Sequence, residues 1–265
     1  MTTHDDLPMS KSATTIPALT TDQMREVDRL MEEAYGIELL QMMENAGRHL
    51  AHLSRRRFLD GDPRGQSIVV LAGTGGNGGG GLVAARRLQG WGADVRVLTT
   101  RVPDTYDGVP GHQLRILQKM DLPIHLAEDK PALPGAALVL DALIGYSLSG
   151  DPRGTAAVLI RAANDHSGPV LSLDVPSGLD ATTGTVRAPA VRADATMTLA
   201  LPKVGFRTEE ARKTVGALFL ADIGVPPSLY AAPEVDHDVG PLFARHDLLS
   251  LTPLSDDRFR ARPYQ

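Results

Sequence analysis

The sequence predicts an α/β fold with a mostly parallel sheet covered by helices on both faces. Short aliphatic runs alternate with amphipathic stretches from residue 67 onward, and a helix between two such runs is the usual crossover joining parallel strands. The run from Ser67 to Leu88 is the most informative. Ile68, Val69, Val70 and Leu71 lead into a glycine-rich turn, and the turn opens a helix carrying Leu82, Val83, Ala85 and Leu88. Bulk composition agrees. The 265 residues are 42% hydrophobic but only 4% aromatic, so aliphatic and alanine packing must build the core.

Each element has its own signal. Residues 1–18 are expected to form a disordered arm, because Met1 to Thr15 is polar and lacks a signal-peptide core. Thr20, Thr21 and Asp22 are small polar caps before Met24, Val27, Leu30 and Met31, which recur at helical spacing until Gly36. Leu39, Leu40, Met43, Ala46, Leu50 and Leu53 mark one face of a second helix, closed by Gly61-Asp62-Pro63. Strands are expected at 67–72, 94–99, 123–126, 137–141, 170–174, 195–200 and 217–222, and helices at 79–90, 109–120 and 153–165. The α/β domain is taken as 19–230. The tail at 231–265, rich in prolines and charges, is expected to lie on that domain, irregular or as a short helix.

Composition also excludes function classes. Net charge is −5, and Arg55-Arg56-Arg57 is the longest basic run, which reads as a solvated helix face. Nucleic acid is therefore not an expected partner. No apolar run approaches a membrane span. Cysteine is absent, which rules out disulfides, a thiol nucleophile and thiolate metal ligands, and fits a cytoplasmic protein.

The glycine turn points to an anion. Glycine fills seven of the nine positions from Gly73 to Gly81, a costly choice for a turn that binds nothing. Backbone N–H groups and the helix dipole there suit a phosphate-bearing ligand. Gly73-Thr74-Gly75-Gly76-Asn77-Gly78 also fits G-x-G-x-x-G. That fingerprint needs an acid at the end of the second strand, roughly 20 residues on. Asp94 begins that strand instead, which weakens a dehydrogenase reading. No G-K-[ST] closes the turn, so it is not a P-loop. Two further strands end in carboxylates beside glycine-serine loops: Asp141, before 142–150, and Asp174, before 175–180. One such Asp alone would usually cap a loop. Two at neighbouring strand ends suit acid/base chemistry or a hard cation.

These motifs resemble the NAD(P)H-hydrate epimerase family, also called the YjeF N-terminal domain. Members read G-x-G-N-N-G-G-D-G-L-V-A-A-R-x-L, which residues 73–88 follow closely. D-A-L-x-G-x-x-L-x-G at 141–150 and L-D-V-P-S-G-L-D-A-x-T-G at 173–184 are similar to two further motifs. So are T-x-x-Q-M-R-E-V-D-R at 20–29, M-E-N-A-G-R at 43–48, A-D-A-T-M-T-L-A-L-P-K-x-G at 193–205 and D-I-G-V-P at 222–226. The resemblance implies a three-layer α/β/α Rossmann-like sandwich, a homodimer and a bound potassium ion. It implies epimerisation of the C6 hydroxyl of hydrated NADH or NADPH, a metabolite-repair isomerase with no redox cofactor. By motif position, Asn77, Asp141 and Ser177 match the cation site. Gly76, Asn77, Gly78, Gly79 and Gly80 match one substrate loop. Gly145, Tyr146, Ser147, Leu148, Ser149, Gly150 and Asp151 match the other. Asp174 matches a substrate-contacting carboxylate and is the expected acid/base. Lys203 matches a family lysine that could assist it, with a surface lysine as the alternative. Asn45 is expected near the pocket or in helix packing. Some members fuse a dehydratase, for which this chain has no room, so that activity would come from a separate chain.

Two departures fall on the ligand loops. Gly76 and Gly80 replace an Asn and an Asp, and Tyr146 stands where members carry a small residue. The first loses a polar cap, and the second adds bulk and a hydroxyl. Three functions therefore stand side by side. The chain is a working epimerase, a repurposed isomerase, cyclase or lyase acting on a non-nucleotide molecule, or a non-catalytic binding scaffold.

Overall fold

The structure, a computed structural model, describes residues 13–127, 131, 133, 135–256 and 258–264. The chain begins with strand β1 (Thr14–Pro17) and helices α1 (Thr21–Glu33) and α2 (Leu39–Phe58). Strand β2 (Ser67–Ala72), helix α3 (Gly76–Gly90), strand β3 (Asp94–Thr99), helix α4 (Gly108–Lys119) and strand β4 (Ile124–Leu126) follow. Next come β5 (Leu138–Ala142), α5 (Gly154–Asp165), β6 (Val170–Leu173), β7 (Ala195–Leu199), α6 (Glu209–Val215) and β8 (Ala217–Ala221). Helix α7 (Pro227–Tyr230) and strands β9 (Leu248–Pro253) and β10 (Arg258–Pro263) complete the described chain.

These strands form one sheet in the order β1-β10-β9-β8-β7-β6-β5-β2-β3-β4. Pairing is parallel from β4 across to β8 and antiparallel from β8 through β9 and β10 to β1. The central strands are buried on both faces. Ile68 and Val70 of β2 belong to one apolar cluster with α1, α2 and α3, whereas Val69 and Leu71 belong to a second with α5. Period-two side-chain alternation thus feeds two cores, and the layers are α/β/α. From β2 the chain runs outward to β3 and β4. From β5 it runs the other way, to β6, β7 and β8. The order reverses between β2 and β5, and ligands bind outside the carboxyl ends of strands at such a switch point.

Both chain ends differ from expectation. Residues 1–12 of the expected arm lie outside the described residues. Thr14–Pro17 is a strand, paired antiparallel with β10, and Ile16 is buried against it. The tail runs through turns over 231–247 and then forms two strands, with β9 and β10 paired and β9 joined to β8. Its signal was present: Arg258, Arg260 and Arg262 alternate with buried Phe259 and Ala261, the period of a half-buried strand. Helix α3 also begins at Gly76 rather than 79, because Gly75 already serves as its N-cap.

Candidate active site

Close backbone packing shapes the glycine turn. Gly73 N donates to Ala142 O at 3.0 Å, which ties the turn to the end of β5. A Cβ on Gly73 would overlap the Leu143 carbonyl, and one on Gly78 would overlap the Gly73 carbonyl. Only glycine permits this approach. It leaves the first-turn N–H groups of α3, at Gly76, Asn77 and Gly78, without intrahelical acceptors at the sheet's carboxyl edge.

Asp141, next to last in β5, has no exposure to solvent. Its Oδ1 accepts from Ser177 Oγ at 2.6 Å and Leu143 N at 3.3 Å. Oδ2 accepts from Ser172 Oγ at 2.8 Å and Ser177 N at 2.9 Å. Burial pushes this carboxyl up, and the four hydrogen bonds oppose that shift. Its acceptor positions are thus taken by protein donors. Asp141 thereby braces the 143–144 and 177 loops. Ser177 Oγ also accepts from Ile144 N at 2.9 Å. The buried Asn77 Nδ2 has no hydrogen-bond partner among the described residues. Buried polar atoms without a partner are rare in folded proteins. The Asn77 nitrogen needs an acceptor and does not itself bind a cation; the amide oxygen of Asn77 and the hydroxyl oxygen of Ser177 are the atoms that suit a weakly charged cation better than zinc.

Asp174 follows β6 in the left-handed region, with φ of 62°. A non-glycine residue there is strained unless its surroundings hold it, and such strain gathers at functional sites. Its N–H donates to Met197 O at 2.7 Å, and its Oδ2 accepts from Tyr146 N at 3.2 Å. Thr198 Oγ1 donates to Oδ1 at 3.3 Å. Lys203 Nζ lies 2.8 Å from Oδ1 and also donates to Thr198 Oγ1, Leu199 O and Leu201 O. Lys203 is fully buried, so the surface reading of this lysine is overturned.

A cavity of about 580 Å³ lies over these strand ends, within the usual range for small-molecule sites. Among the expected residues, Gly76, Asn77, Gly145, Tyr146, Ser147 and Asp174 line it. Gly78, Gly79 and Gly80 do not. Gly79 backs onto Met43, and a Cβ on Gly80 would come 2.8 Å from Leu173 Cδ2, so both serve helix packing. Leu148, Ser149, Gly150 and Asp151 are not lining residues either. In the same loop region Arg153, the N-cap of α5, faces the cavity together with Thr155 and Arg101. Two arginines beside two helix N-termini make this edge attractive to phosphate. Asn45 donates to Ile223 O at 3.3 Å and packs α2 against that segment without lining the cavity.

Sequence reasoning passed over Asp28. It projects from α1 into the cavity, and its Oδ2 accepts from Tyr146 Oη at 2.5 Å. Burial pushes its carboxyl up to about 6, with the Asp174 charge adding to the shift and the Tyr146 hydrogen bond opposing it. The signal was a carboxylate on the apolar face of α1, four residues after Met24 and three before Met31, both buried. Burial and the Asp28 charge raise the Tyr146 phenol well above its ordinary value.

Similar proteins place the chain in a family. The YjeF-related protein N-terminus family matches residues 39–205. The chain belongs to that family. A Dehalogenimonas lykanthroporepellens protein named NAD(P)H-hydrate epimerase is 43% identical over 242 residues, covering 89% of this chain and 94% of its own length. A Truepera radiovictrix protein of the same name is 39% identical, covering 84% of this chain and 94% of its own. A Salinibacter ruber protein named bifunctional NAD(P)H-hydrate repair enzyme Nnr is 38% identical, and the match spans 41% of that longer protein. The crystal structure of yeast ynu0, YNL200c, shares the fold, with a TM-score of 0.71 at 23% identity, covering 89% of this chain and 100% of its own.

Proposed function

We propose that this chain is an isomerase that interconverts the R and S forms of hydrated NADH and NADPH, with Asp174 as acid/base. The placement of Asp174 is the single observation that carries this reading: a strained, lysine-paired carboxylate lining a cavity edged by arginines and helix N-termini. Epimerisation at a carbinolamine carbon needs a proton taken from the hydroxyl and returned after the opposite face is presented. A positioned carboxylate does both. Buried Lys203 fixes the Asp174 carboxylate through Oδ1 and leaves Oδ2, held by the Tyr146 N–H, on the cavity side.

A potassium ion belongs to the same reading. Asn77 and Ser177 would hold it, with Asp141 behind them, and the ion would supply positive charge beside the nucleotide. The chain would work as a homodimer in the cytoplasm, where reduced nicotinamide cofactors are used. A dehydratase, fused or separate, would consume one epimer, as the bifunctional name of several relatives suggests. Of the two residues that prompted the repurposed reading, Gly80 packs on Leu173 rather than lining the cavity, whereas Tyr146 does line it. The test is direct. Pure S-NADHX is incubated with the protein, with and without potassium, and the R form is followed by chromatography. Acceleration that Asp174→Asn removes supports the reading, and a folded protein that leaves the spontaneous rate unchanged overturns it.

A further inference from the structure

We propose that Asp28, oriented by Tyr146, is a second catalytic acid/base of the epimerisation, acting from α1 on the same substrate as Asp174. This rests on the epimerase reading. One residue ties the two carboxylates together. The Tyr146 N–H donates to Asp174 Oδ2 at 3.2 Å, and its hydroxyl donates to Asp28 Oδ2 at 2.5 Å. Asp28 Oδ1 has no protein partner among the described residues, and Asp28 lines the cavity, so that oxygen is free for substrate. No packing need accounts for a carboxylate on this face, since Met24, Val27 and Met31 beside it are all buried.

The surroundings suit proton exchange. Asp174 and Lys203 face Asp28 from the sheet, Tyr146 from the loop after β5, Tyr230 from α7 and Glu32 from its own helix, while Arg25 acts on Tyr146. Burial leaves Asp28 near 6, where it exists in both protonation states close to neutral pH. Two carboxyl groups in unlike environments are a recurrent way to separate an acid from a base.

The step balances. Asp174 takes the proton of the C6 hydroxyl, and the O–H electron pair becomes the C=O π bond. The C6–N1 bond breaks, its pair goes to N1, and protonated Asp28 gives N1 a proton. Rotation about C5–C6 presents the other face of the aldehyde. N1 then attacks C6 as its proton returns to Asp28, and Asp174 returns the other proton to the oxygen. Nothing is consumed.

Exchange of S-NADHX measured across pH tests this with the full chain, Asp28→Asn, Asp28→Glu and Tyr146→Phe, each checked by thermal melting. Asp28→Asn should lower kcat by about 10²-fold or more with KM little changed, and should lose the kcat/KM limb near pH 6. Asp28→Glu should restore part of the rate. Tyr146→Phe should move that limb to higher pH, because the lost hydrogen bond lowers the Asp28 value. This shift keeps the proposal open to refutation if Asp28→Asn fails to fold. Wild-type kcat and an unmoved pH profile in these variants overturn the proposal alone. An inactive, folded wild type overturns the epimerase reading and this proposal with it.

Discussion

Lys203 Nζ lies 2.8 Å from Asp174 Oδ1, and both side chains are buried at the end of β6. A buried pair is costly to desolvate and more costly to break. Removing the carboxylate leaves an ammonium with only neutral oxygens, at Thr198, Leu199 and Leu201. We expect Asp174→Ala to destabilise the fold by about 3–5 kcal/mol, and Asp174→Leu with Lys203→Met to recover most of that. Denaturant unfolding of the single and double variants measures it. A single variant as stable as wild type would mean that the pair does not form.

Stability should also depend on pH through Asp28. Its carboxyl is raised from 3.8 to about 6, by burial first. A carboxyl raised in the native state contributes stability that is fully present below the unfolded value and lost as pH rises through the folded one. Asp28→Asn should therefore melt like wild type near pH 4 and a few degrees above it at about pH 7.5. Paired melts at the two pH values check the sign.

The glycine turn separates packing from binding. Gly78→Ala drives a Cβ into the Gly73 carbonyl, and backbone cannot yield as a flexible side chain can. A loss of about 3 kcal/mol is expected. At Gly76 the nearest atom to an added Cβ is Met43 Cε at 3.7 Å, an ordinary contact. Gly76→Ala should stay within about 1 kcal/mol of wild type, while weakening dinucleotide binding at the cavity edge. Calorimetry with NADP beside thermal melts separates the two effects.

A monovalent cation should act through Asn77. If the Asn77 amide oxygen and the Ser177 hydroxyl hold potassium, potassium chloride should raise the melting temperature above that in equal sodium chloride. Asn77→Ala should abolish the difference. Equal melting in both salts for the wild type would remove potassium from the site.

The parallel half of the sheet was readable because each of its elements carries its own period. Ile68 and Val70 against Val69 and Leu71, and the helical spacing of Leu82, Val83, Ala85 and Leu88, are local patterns. The strand-end pattern located Asp141 and Asp174, and motif resemblance located Lys203, but neither gave their contacts. Motif resemblance could not show that Asp141 holds Ser172 and Ser177, or that Gly79 and Gly80 pack on Met43 and Leu173. Strand β1 went unread because four residues carry little pattern and their partner, β10, lies at the other end of the chain.

Local chemistry in the chain set the strands, the helices, the glycine-rich turn and the residue types at the strand ends. Periodicity states which face of an element is buried, and glycine states where backbone must approach closely. Neither states which distant element comes to lie opposite. Tyr146 and Asp28 are 118 residues apart in the chain and meet only because α1 lines the same cavity as the loops after β2 and β5. The burial of Lys203 and the raised titration of Asp28 belong to that assembly, since desolvation and neighbouring charge exist only once the layers have packed.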